Sequence, residues 1–216
     1  HKAIRRQRQM CIRDSAHIDH SGRIPKLYNE GYRNPIYAHK ATVDLCSIML
    51  PDSGHIQENE VEWKNRKRIR AGLDPLPPLY TAEEAAKSLE IFKAVQYDQI
   101  VDVAENIQVR FNDAGHMLGS SIIEIWVTEN GKTEKIVFTG DIGNNDIPLL
   151  NSPTMIDSAD YLVMESTYGS RLHMKNDDKA SISLKKIVCI SIILIFLLSI
   201  GVMAGNCLLY TSPSPR

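Results

Sequence analysis

SAHIDH, residues 15–20, sets two imidazoles and a carboxylate within six positions near the start of a 216-residue chain. Imidazole nitrogens and carboxylate oxygens without thiolates suit Zn²⁺ or a similar divalent ion in a hydrolytic centre. Taken alone, His17, Asp19 and His20 could equally form a polar loop whose histidines cap a helix or meet water. Three more polar positions fall at the ends of expected strands: His116 in DAGHMLGSS, Asp141 in FTGDIGN and Glu165 in VMESTYG. Sheet scaffolds usually mount their chemistry where strands give way to loops. Gly115, Gly119, Gly140 and Gly143 flank His116 and Asp141 and would allow tight turns that aim both at one centre. Each position also has an ordinary reading: His116 as a hydrogen-bonded turn residue, Asp141 as a turn aspartate, Glu165 as the start of a loop.

Around these positions the chain divides into regimes. Residues 1–15 are basic and unpatterned, 16–178 alternate strand-like and helix-like segments, and the character changes from 179. In the middle regime NPIYAH predicts a short strand, and KATVDLCSIML a helix that stops at Pro51. GHIQENEVEWKNRKRIRAG predicts an exposed, charged helix ending at Gly72, and LDPLPPLY a stiff loop. Thr81 and Glu84 form a capping box for a helix through TAEEAAKSLEIFKAV. Beyond Val101 the period becomes two: IQVRFND, SIIEIWV, KIVFTGD and DYLVMES read as strands, with TENGKTEK as a hairpin turn. Strands around a helical insert indicate a mixed α/β (α+β) domain with sheets covered by helices.

Composition adds boundaries. Hydrophobic residues make up 43% and charged residues 24%, values ordinary for a soluble globular protein. Lys+Arg total 25 against 26 Asp+Glu, so any surface for a polyanion must be local. Four cysteines without C-x-x-C spacing fit a reducing compartment and exclude a cysteine-based zinc finger. No apolar run follows the basic opening HKAIRRQRQM, so no signal peptide is expected.

AHIDHSG, AGHMLGSS, TGDIG and MESTYG, in this order, resemble the metallo-β-lactamase superfamily and, more narrowly, its RNA-processing β-CASP branch. The resemblance runs from about residue 16 to 178 and implies part of an αββα sandwich. It implies that His17 and His116 bind a first zinc, that Asp19 and His20 bind a second, and that Asp141 bridges them. Asp19, His20, Asp141 and Glu165 would then carry the catalytic roles, Glu165 by supporting a zinc-binding histidine. The implied activity is that of a cytoplasmic ribonuclease in which a hydroxide shared by two metals roughly 3.5–4 Å apart attacks a phosphodiester. The family motif has a further histidine where this chain has Ser15, a poor neutral ligand. The first strand pair, the clamp-like β-CASP insert and the late histidines of the branch have no counterpart here. The chain itself is therefore expected to be inactive or nearly so.

The ends carry their own expectations. RQRQMCIRDS and CLLYTSPSPR resemble translated sequencing-adapter text, which makes 1–15 and 207–216 non-native tails and Ser15 the scar of a join. Segment 179–206 contains IVCISIILIFLLSIGVMAG (187–205), 19 residues without a charge. It reads as a transmembrane candidate or as out-of-frame translation, and the second is expected. KNRKRIR offers Lys64, Arg66, Lys67, Arg68 and Arg70 to RNA phosphates, although Glu58, Glu60 and Glu62 would blunt that field. His55 is expected to be an exposed helix-start histidine, and Trp63 and Trp126 packing residues. Two rival functions use the same residues: a same-scaffold hydrolase of a small ester, thioester or lactam, and a non-catalytic, membrane-tethered metal-binding module.

Overall fold

The computed structural model describes residues 11–145, 148–167, 169 and 170. They belong almost entirely to one compact unit ending at Glu165. Of the unit that follows, the described part is a turn in which Gly169 N–H donates to Ser166 O at 3.0 Å.

Strands β1 (Cys11–Arg13), β2 (Ile36–His39) and β3 (Phe92–Val95) form a parallel sheet in that order. Between β1 and β2 lie two short helices, α1 (Ile18–Ser21) and α2 (Ile24–Asn29). Between β2 and β3 lie α3 (Lys40–Arg70) and α4 (Ala82–Ser88). A second, five-stranded sheet runs β4 (Ile100–Ala104), β5 (Ile107–Asp113), β6 (Ser121–Glu129), β7 (Lys132–Phe138) and β8 (Tyr161–Val163) in chain order. Its pairs are antiparallel except β7 with β8.

Alternation along the strands makes the layers. On β2, Ile36 joins the helix-side cluster with Ile24, Cys46, Leu50, Tyr80 and Ile91, while Tyr37 faces the other sheet. There it packs with Val95, Val103, Val109, Phe111 and Ile123. Helices, parallel sheet and mixed sheet thus form three of the four layers of an αββα sandwich, and the fold is mixed α/β as the residue pattern implies. The β6–β7 hairpin turns at Asn130 and Gly131, both left-handed (φ 51° and 76°), as its NG dipeptide predicts.

The structure departs from expectation in four places. Pro51 does not end a helix; α3 passes through it for 31 residues. The lost N–H is tolerated because packing holds both sides: Cys46 and Leu50 are buried before it. After it, Gly54 lies against α4, where an added Cβ would sit 2.7 Å from Ala82 Cα. The segment expected to continue α4 to Val95 instead leaves the helix at Ser88, passes through a 3₁₀ turn and becomes β3. Pairing of Phe92 through Val95 with Ile36 through His39 outweighs local helix propensity there. Residues 11–13, unpatterned as sequence, form a strand beside β2. Finally, Trp63 is 57% exposed rather than packed. His55 is exposed as expected, but in mid-helix. The apolar run 187–205, residues 1–10 and the segment from 171 onward lie outside the described residues; among those described, no helix is long and apolar enough to cross a membrane.

The outward face of the mixed sheet carries a buried carboxylate. Glu124 on β6 is fully buried, bound by Arg110 and Lys135 at 2.5 Å each and by Asn112 at 2.8 Å. Although burial alone would raise its pKa, these donors together hold it down to about 2. Because the folded value lies below the unfolded one, the stability Glu124 contributes is present above about pH 4.5 and is lost as pH falls toward 2. Urea unfolding of wild type and Glu124→Gln should therefore differ by on the order of 3 kcal/mol at neutral pH, converging only as the pH reaches about 2.

Candidate metal centre

One turn of helix explains the first half of the centre. His17 is the N-cap of α1 and His20 lies three positions on, so both project to one side. Asp19 falls between them and is 78% exposed at the rim. Ser21 ties the turn down, its hydroxyl donating to Ala16 O (2.9 Å) and His17 O (3.0 Å). The second half comes from the loops after β5 and β7, which carry His116 and Asp141.

These loops meet backbone to backbone. Gly143 N–H donates to Ala114 O at 2.8 Å, and a Cβ on Gly143 would stand 1.7 Å from Gly115 O. Only glycine permits that approach. As a result, three imidazoles converge on one oxygen: Asp141 Oδ2 lies 3.7 Å from His17 Nδ1, 3.5 Å from His20 Nε2 and 3.7 Å from His116 Nε2. The His17 and His116 rings are 5.0 Å apart, centroid to centroid. His20 Nε2 is also 3.7 Å from Asp19 Oδ2.

These separations are long for hydrogen bonds. They are close to the edge of a tetrahedral ligand set, about 3.3 Å for bonds of about 2.0–2.1 Å. His17, His116 and Asp141 form a group whose donor atoms all lie within 4.8 Å of one another. Donor chemistry and spacing fit a zinc-like ion. His17, His20, His116 and Asp141 are brought together, with Asp19 at their edge. Ser15, in place of an imidazole, is buried, its Oγ 3.5 Å from His17 Nδ1. Glu165 accepts a hydrogen bond from Ile142 N–H at 2.6 Å and so fixes the backbone immediately after Asp141.

One residue of the centre carries no sequence signal. Asp14 Oδ2 lies 3.0 Å from His20 Nδ1. That contact commits Nδ1 to the aspartate and leaves Nε2 to face Asp141 and Asp19. Gly140 makes room for the carboxylate, since a Cβ there would lie 2.4 Å from Asp14 Oδ2. Beside these residues opens a cavity of about 590 Å³, lined by Asp14, Asp141 and Glu165 on one side and by apolar residues including Ile123, Phe138 and Met164.

The basic segment lies elsewhere. Lys64 and Arg66 pair with Glu60 (3.2 Å) and Glu62 (2.7 Å), and Lys67 Nζ lies 3.8 Å over the Trp63 ring. Arg68 Nε donates to Asp74 O at 2.8 Å. At 1.5 Å per residue, Arg68 stands roughly 40 Å along α3 from Thr42, which touches the His116 loop.

Two outcomes test this geometry. Gly143→Ala should separate the two loops and weaken zinc binding by at least about tenfold in a chelator competition. Asp14→Ala should leave the fold intact and release His20 from a single tautomer, visible as mixed Nδ1–H and Nε2–H forms in long-range ¹⁵N spectra of the metal-free protein.

No family model matches the chain. Ribonuclease TTHA0252 of Thermus thermophilus is 32% identical over 158 residues, 73% of this chain and 31% of the relative. An RNase J-like protein of Methanocaldococcus jannaschii is 33% identical over 161 residues, 74% of this chain and 32% of the relative. Transcription termination factor FttA of Methanothermobacter thermautotrophicus is 32% identical over 155 residues, 71% and 22% respectively. The chain thus spans about a third or less of the length of these curated relatives. Among solved structures, the FEZ-1 metallo-β-lactamase of Legionella gormanii aligns over 63% of this chain and 44% of its own, with 14% identity and a TM-score of 0.38. By its four motifs and these sequence relatives, the chain is similar to the β-CASP branch of the metallo-β-lactamase superfamily.

Proposed function

We propose that the chain carries part of the metal centre of a zinc-dependent RNA hydrolase that cleaves phosphodiester bonds. The observation that carries this reading is the convergence of His17, His20 and His116 on Asp141 Oδ2. The names of the relatives, a ribonuclease and an RNase J-like protein, support RNA as the substrate.

His17 and His116 would hold one ion with Asp141, and Asp19 and His20 a second. Bound there, zinc would acidify a water and take up charge on phosphoryl oxygens. The chain's own contributions are positional. Asp141 offers one oxygen to both halves of the centre, Asp14 orients His20, and Glu165 holds the Asp141 turn through Ile142 N–H. Lys67 and Arg70 would meet RNA only several nucleotides from the centre, given their distance along α3.

Ser15 is the weak point of the first ligand set. Purified 1–216 should show no RNA cleavage that a chelator abolishes. Ser15→His should tighten zinc binding by at least the roughly tenfold that an outer partner of a ligand is worth. Chelator-sensitive cleavage of a labelled RNA by the unaltered chain would overturn the inactivity, and zinc binding unchanged in Ser15→His would overturn the assignment of that position.

A further inference from the structure

We infer that Tyr97 and Thr42 are positioning residues for His116: from two different elements they clamp the loop that carries it. This rests on the reading of His116 as a metal ligand.

The loop has little packing of its own. It runs between two left-handed glycines, Gly115 (φ 63°) and Gly119 (φ 81°). His116 is exposed and Leu118 is 60% exposed, and of the three residues between the glycines only Met117 packs against the core. Hydrogen bonds must therefore set where the imidazole stands. Inside the loop, Ser120 Oγ accepts from both His116 N–H (3.2 Å) and Met117 N–H (3.1 Å), which makes Ser120 the internal anchor.

That anchor is held from outside. Tyr97, between β3 and β4, donates its phenol to Ser120 O at 2.8 Å. Thr42, in the first turn of α3 and fully buried, donates its hydroxyl to Gly119 O at 2.7 Å. Gly119 lies so close that an added Cβ would stand 2.5 Å from Thr42 N. Tyr97 is braced in turn: its ring stacks on His39 at 3.8 Å and 9°, and His39 Nδ1 caps α3 by accepting from Ala41 N–H. The start of α3 and the β3–β4 connection thus grip two successive carbonyls, one residue beyond the loop's last exposed side chain. The 3.7 Å spacing of His116 from Asp141 depends on that grip.

Removing either hydroxyl should leave a folded protein. Gly119 O retains Ser121 Oγ at 3.0 Å, and Ser120 O retains Ala114 N–H at 3.1 Å, so neither carbonyl is orphaned.

The experiment measures zinc affinity by competition with a chromophoric chelator, and amide exchange in the metal-free protein, for Tyr97→Phe, Thr42→Val, Thr42→Ser and Tyr80→Phe. Tyr80→Phe is the control, because it loses a comparable buried tyrosine bond (to Ser53, 3.0 Å) in the helical cluster. Tyr97→Phe and Thr42→Val should each weaken zinc binding about tenfold, the lower end for an outer partner of a metal ligand. Thr42→Ser should restore it, Tyr80→Phe should leave it unchanged, and His116 and Met117 amides should exchange faster in the first two variants. Unaltered zinc affinity in Tyr97→Phe and Thr42→Val, or an equal loss in Tyr80→Phe, overturns the assignment. If the wild type takes up no zinc, the metal reading of His116 falls and the amides decide the clamp: faster exchange upholds it, unchanged exchange removes it.

Discussion

The approach of three imidazole nitrogens to a single carboxylate oxygen, Asp141 Oδ2, is the constraint on which the rest of the structure turns. Nothing in those four groups draws them together strongly without an ion, and desolvating them costs free energy. Their convergence has to be imposed by the scaffold. The N-terminal turn of α1 supplies two imidazoles on one face, the glycine contact between the β5–β6 and β7–β8 loops supplies the third imidazole and the carboxylate, and the paired sheets hold these sources in register. Glu165 and Asp14 then remove the remaining freedom, one acting on backbone and the other on a ring.

Much of this was legible in the residues, and the parts that were not have physical reasons. The alternating strands β5 and β6, the NG hairpin and the Thr81 cap are local signals, and the structure has all of them. His116 and Asp141 could be singled out because they fall beside glycines at strand ends, and His17 because it shares a six-residue stretch with Asp19 and His20. The helix through Pro51 was not, because burial of Leu50 and Gly54 on either side decides it, and burial is not a property of the dipeptide. Nor was β3: a capping box starts a helix but says nothing about where sheet pairing will claim the chain. Asp14 was passed over because the sequence reads 1–15 as a non-native tail. Its role follows from a ring six positions away and from the space at Gly140, neither of which spacing reveals.

Helix α3 divides into two parts with different supports. Its first half is embedded, with Thr42, Cys46, Leu50 and Gly54 buried along one stripe. Its second half buries none of its residues and is stiffened by i,i+4 ion pairs. The loop that follows lies back along it, with Asn65 both donating to Leu76 O and accepting from Leu76 N–H at 2.8 Å. Lys64 and Arg66 are paired with carboxylates within the helix, whereas Lys67 and Arg68 meet an aromatic ring and a backbone carbonyl, so only part of the basic run is neutralised. On β1 the mismatch is sharper. Among the described residues Arg13 Nε is buried without a hydrogen-bond partner, a cost that a strand in this position would avoid with an apolar residue.

The Gly143–Gly115 contact and the α1 turn join positions roughly 120 residues apart in the chain. An ion shared by His17 and Asp141 would therefore act as a removable crosslink, closing a long loop that the unfolded chain leaves open. Its binding free energy would add to folding by mass action, in proportion to the logarithm of free metal. Metal supply would then govern how long this domain survives, as well as what it can do.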